Sequence, residues 1–80
     1  MRDDQQTRLI RIMAREERDL KELFQGIPVM TGIIEHKMYY LSGLELAFEM
    51  ADEPEAMQLV GVVREVFQRK LREYYAEHNI

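Results

Sequence analysis

Residues 29–51 read VMTGIIEHKMYYLSGLELAFEMA. Their apolar positions recur at helical rather than strand spacing. At 100° per residue, Ile33, Ile34, Leu41, Leu44 and Phe48 line one side. Tyr39, Leu46 and Met50 project well away from them, at roughly 220–260° when Ile33 is set to zero. Only a narrow polar strip remains, formed by Glu35, Ser42, Glu45 and Glu49. A helix apolar over so wide an arc belongs at the centre of its fold. Three helices can bury part of that arc, and Tyr39, Leu46 and Met50 call for a second subunit.

Punctuation sets the ends of this helix. Gln25-Gly26-Ile27-Pro28 reads as a turn, with Gly26 in the left-handed conformation at a helix C-terminus and Pro28 in the first turn of the next helix. Upstream, a helix over about residues 4–24 is expected. Asp3 is its N-cap and Gln6 completes a capping-box pattern. Leu9, Ile12, Met13, Leu20, Leu23 and Phe24 share one face; Arg11, Arg15, Arg18 and Glu22 share the other. Spacings such as Arg15–Asp19, Glu17–Lys21 and Arg18–Glu22 allow i,i+4 ion pairs. The short turn makes these first two helices antiparallel neighbours.

Downstream, Asp52-Glu53-Pro54-Glu55 starts a third helix, with Asp52 as the expected cap, running over about 54–77. Val60, Val63, Phe67, Leu71 and Tyr74 form its stripe, and Leu59, Val62 and Val66 widen it. The run Leu59-Val60-Gly61-Val62-Val63 could pass for a buried strand, but it has no partner strand and lies inside a helical pattern. The expected fold is therefore all-α: a three-helix antiparallel bundle, a hairpin plus a third helix, in one domain over 1–80. The third helix could also be exchanged between the two copies of a dimer.

Size points toward assembly. An 80-residue chain gains little net stability from one core, and small domains add disulfides, metals or oligomerisation. There is no cysteine. No pattern suggests a metal or cofactor: the histidines His36 and His78 each follow a glutamate directly, and adjacent helical residues do not face one site. A homo-oligomeric helical bundle is the expectation. The polar start, Met1 to Gln6, lacks the apolar stretch of a secretory signal. The longest uncharged run, Leu23 to Ile34, is broken by Gly26, Pro28 and Gly32 and is too short for a bilayer. A cytoplasmic location is expected, with no membrane contact.

The net charge of −4 is local. Residues 26–53 carry Lys37 against Glu35, Glu45, Glu49, Asp52 and Glu53, while both ends are balanced. An acidic middle argues against direct nucleic-acid binding, which needs a basic face. Glu35, Glu45, Glu49 and Asp52 form a candidate acidic surface. It could be merely solvated, or it could mimic nucleic acid in an inhibitor.

Three charges interrupt the apolar stripes: Glu16 and Glu17 on the first helix and Lys37 on the second. In a hairpin turning near residue 26, facing residues sum to about 53 or 54, which sets Glu16 and Glu17 against Lys37 and His36. Such a cluster can be an inter-helix pair that fixes register. It can also be a polar site for chemistry, with His36 as a phosphotransfer group. The sequence His36-Lys37-Met38-Tyr39-Tyr40 departs from the His-x-x-Lys-Gly pattern of phosphorelay domains. Ser42 is the only serine, and no glycine-rich phosphate loop exists.

The functional expectation is a non-catalytic regulator, adaptor or inhibitor. It works by protein–protein contact with itself and another protein. Its candidate surface is Tyr39, Leu46 and Met50, with Met38, since six methionines are many for this length and Met suits adaptable binding surfaces.

Overall fold

Pro54 begins the helix on which the other two lean. Its ring fixes φ where helical entry requires it, and its missing N–H is one that the first turn leaves unpaired in any case. The computed structural model describes residues 2–79. Its elements are α1 (Asp3–Phe24), α2 (Thr31–Met50) and α3 (Pro54–Glu77), with no strand among the described residues. The Leu59–Val63 run is helical throughout.

The core draws one stripe from each helix. Leu9, Met13 and Leu20 come from α1, and Ile34, Met38 and Leu41 from α2; α3 gives Ala56, Val60, Val63, Phe67 and Leu71. Each large side chain so buried contributes roughly 1.5–3 kcal/mol. The Phe24 and Phe67 rings stack at 6.2 Å between centroids, and Lys70 Nζ sits over both at 5.8 and 5.7 Å. The assembled helices measure 43 × 20 × 15 Å. No helix among the described residues is long and apolar enough to cross a membrane.

The central helix is α3, not α2. It packs closely on α2 and also carries α1, whereas α1 and α2 approach each other less closely. The reason lies in the distribution of apolar side chains. The α3 stripe is continuous from Ala56 to Leu71 and takes a neighbour on each side. The apolar arc of α2 is wide but split, and only one part of it meets α3. So Ile33 and, on α1, Ile12 stay exposed, although both belong to the stripes read from the sequence. On α3, Val62 and Val66 are exposed as well.

Several ends differ from their expected form. Helix α1 starts at Asp3, with Arg2 as the cap residue; the Arg2 backbone N–H donates to Gln5 Oε1 at 3.2 Å. Asp3 and Asp4 then occupy the first turn, where the positive end of the helix dipole favours them. Gly26 is not left-handed. The helix tightens instead, with Gln25 N–H donating to the Lys21 and Glu22 carbonyls and Gly26 N–H to Leu23 O. What Gly26 supplies is room, since a Cβ there would lie 3.2 Å from Pro28 O and 3.3 Å from Leu23 O.

Pro28 lies in the connection and not in α2, which starts two residues later than expected, at Thr31. Val29 accounts for the delay: it packs against the core from the loop, a position that a helix begun at 29 would rotate away. At the far end of α2, Asp52 is no cap for α3. It takes φ 56° and closes α2. Asp52 N–H donates to Glu49 O at 3.1 Å and Glu53 N–H to Phe48 O at 2.9 Å, the two bonds of a Schellman motif. Aspartate is among the few side chains that tolerate this conformation. Glu53 is the cap residue of α3.

If α3 is central, Phe67→Ala should cost about 3–5 kcal/mol. The half-buried Phe48 on α2 should cost less when truncated. Thermal unfolding of the two variants checks this, and the reverse order would return the centre to α2.

Candidate functional site

Polar contacts first fix how α2 is turned. The structure brings Lys37 and Glu16 together, with Lys37 Nζ 2.8 Å from Glu16 Oε2. Asp19 adds a second carboxylate at 3.9 Å. The side chains of Lys37 and Glu16 are 22% and 15% exposed, so the pair is neither dry nor fully solvated. Glu17 and His36 do not join it. Glu17 is half-buried without an ion-pair partner among the described residues, and His36 is exposed and bonded to neither carboxylate. None of the expected pairs Arg15–Asp19, Glu17–Lys21 and Arg18–Glu22 closes; Asp19 turns toward Lys37 instead.

The other side of α2 is tied to α3. Arg64 Nε donates to Glu45 Oε2, and its Nη2 reaches Glu45 Oε1 at 3.3 Å. Arg64 Nη1 also donates to Gln68 Oε1. The bond to Glu45 holds the Arg64 guanidinium above its ordinary pKa, against the opposing effect of burial. Gly61 makes room for this contact, because a Cβ there would lie 2.7 Å from Glu45 Oε1. Close approach of α2 and α3 is therefore marked by Gly61 and not by Gly43, which faces open space. Nearly three turns nearer the start of α2, the Tyr75 hydroxyl donates to Glu35 Oε1.

Half of the expected acidic surface is thus engaged. Glu35 and Glu45 bind α3 side chains, while Glu49 and Asp52 are exposed. Among the described residues, no three histidine or acidic side chains converge.

The outward face of α2 points away from both the Lys37 and the Glu45 anchors. Tyr39 is 79% exposed, Met50 81% and Leu46 56%. Tyr40 is nearly half exposed beside them. Met38 does not belong to this surface. It is a core residue at 7% exposure, because it shares a face with Ile34, one turn before it, and Leu41, one turn after it. It forms the floor of a shallow groove between α2 and α3, rimmed by Glu35, Tyr39, Ser42 and Gln68.

No protein-family model, curated protein or solved structure matches the chain.

Two predictions follow from the polar anchors. Lys37→Ala should destabilise by an amount between the ~1 kcal/mol of an exposed pair and the ~3 kcal/mol of a buried one broken on one side. It should cost more than Lys70→Ala, and equal melting temperatures would remove Lys37 as an anchor. The second concerns Tyr75. The hydroxyl bond to Glu35, with burial adding to it, raises the phenol above its ordinary value of 10.0. Its stabilising effect is complete below the unfolded pKa and is lost as pH rises through the folded one. In an ultraviolet titration, Glu35→Gln should move one tyrosine to lower pH, and an unchanged curve would contradict the bond.

Proposed function

We propose that this protein is a small, non-catalytic cytoplasmic regulator, adaptor or inhibitor that acts by protein–protein contact and self-associates. The surface that carries the reading is the outward side of α2. It is exposed and uncharged, and it runs the length of the helix. Large contiguous apolar patches on small proteins commonly mark contact sites. Tyrosine, methionine and leucine suit such a role: tyrosine gives area at low entropy cost, and methionine adapts to a facing surface. The polar anchors add support. Lys37–Glu16 toward α1 and Arg64–Glu45 toward α3 oppose the rotation of α2 that would bury Tyr39 and Met50.

Light scattering across a concentration series, on the wild type and on Leu46→Glu, tests the reading. The wild type is expected above monomer mass, and the variant at monomer mass with unchanged helical circular dichroism. Because Leu46 is exposed in the single chain, the added charge should not disturb folding. A variant that associates as the wild type does would rule out this face.

A further inference from the structure

We infer that the outward face of α2 is covered by the same face of a second copy, in an antiparallel pair centred on residue 41. The inference rests on the reading of that face as a contact surface and names its occupant. Along the face, Gly32, His36, Tyr39, Gly43, Leu46 and Met50 follow one another at spacings of four, three, four, three and four. That is the heptad rhythm of a coiled-coil seam. All six are exposed. An uncharged arc of about 140° surrounds the seam, at 100° per residue.

The glycines are the informative members. A glycine inside an exposed helix costs about 1 kcal/mol relative to alanine. Gly43, in the interior of α2, gains no internal packing in return, since nothing lies within 4 Å of a Cβ built there, and Gly32 in the first turn is equally open. Their use is a close approach from outside. In an antiparallel pair whose facing residues sum to 82, Gly32 meets Met50, Gly43 meets Tyr39 and His36 meets Leu46. Each notch receives a large side chain, and the two-fold axis makes the fit self-complementary, as an isologous interface requires. A parallel pair sets Gly32 on Gly32 and Met50 on Met50, which leaves holes beside collisions. Slipping the antiparallel pair by one heptad sets Gly32 against Gly43 and shortens the overlap.

The exposed area agrees with a second copy. At about 200 Å² for a large side chain, the exposed parts of Tyr39, Tyr40, Leu46 and Met50 present on the order of 500 Å². That is most of the ~800 Å² per partner that a standard interface buries. The glycine backbone and His36 extend it.

The absence of cysteine makes a spin-label test direct. A label at Ala51→Cys, exposed at the end of α2, should give an inter-label distance of about 30 Å in the antiparallel pair, at 1.5 Å per residue. Gly43→Ala should weaken the dimer at least tenfold while leaving the helical content of the single chain intact. A dimer with labels side by side would overturn this register and leave the contact face standing if Leu46→Glu still dissociates it. A dimer indifferent to Leu46→Glu would overturn the face itself. A wild type that stays monomeric at every concentration would overturn the second copy as occupant.

Discussion

Three helices share one apolar stripe, that of α3. Val60, Val63, Phe67 and Leu71 are buried because α2 closes on one side of them and α1 on the other. A helix in this position has two neighbours and spends its apolar surface on both. A helix at the edge has one, and α2 is at the edge. It buries Ile34, Met38 and Leu41 against α3 and has nothing to place on its opposite side. The exposure of Tyr39 and Met50 is thus a consequence of how the core is divided, not a local accident.

Rotation of α2 is the remaining degree of freedom, and ionic contacts restrict it. Lys37 reaches back to Glu16 and Asp19 on α1. Glu45 lies over Gly61 and accepts from Arg64 on α3. The two contacts leave α2 about 80° apart, toward α1 and α3 and away from the outward face. A turn of 100° would break both, leave charges poorly solvated beside apolar side chains and take Ile34 out of the core. With α2 held in this rotation, the uncharged arc points to solvent in every copy. A surface that is the same in every copy and lacks charge is suited to symmetric association.

Much of this was legible in the sequence. The three helices, the stripe positions Leu9, Met13, Leu20, Ile34, Leu41, Val60, Val63, Phe67 and Leu71, and the outward direction of Tyr39, Leu46 and Met50 all follow from period and punctuation. Other features depend on tertiary context. Which helix is central cannot be read from apolar width, because width does not say whether the arc meets one neighbour or two. Met38 reads as a surface methionine by composition, yet its angle beside Ile34 and Leu41 places it in the core. His36 and Glu17 satisfy the hairpin arithmetic, but only side chains aimed across the interface can pair, and Lys37 alone is so aimed. The Arg64–Glu45 contact was missed because both residues look like ordinary helix-surface charges. The signal available was Gly61, a glycine inside a helix where a close approach is needed. The left-handed ending expected at Gly26 is found at Asp52 for a similar reason: either residue can end a helix, and the following chain decides how.

The account stands on the claim that the outward face of α2 is covered at working concentration by another copy of the chain. Hydroxyl-radical footprinting of Met50 and Tyr39 along a dilution series measures that cover side chain by side chain. The account predicts strong protection of both at high concentration and its loss on dilution, while the exposed Val62 on α3 reacts equally throughout. Met50 and Tyr39 that react as readily in the concentrated protein as in the dilute one would contradict it.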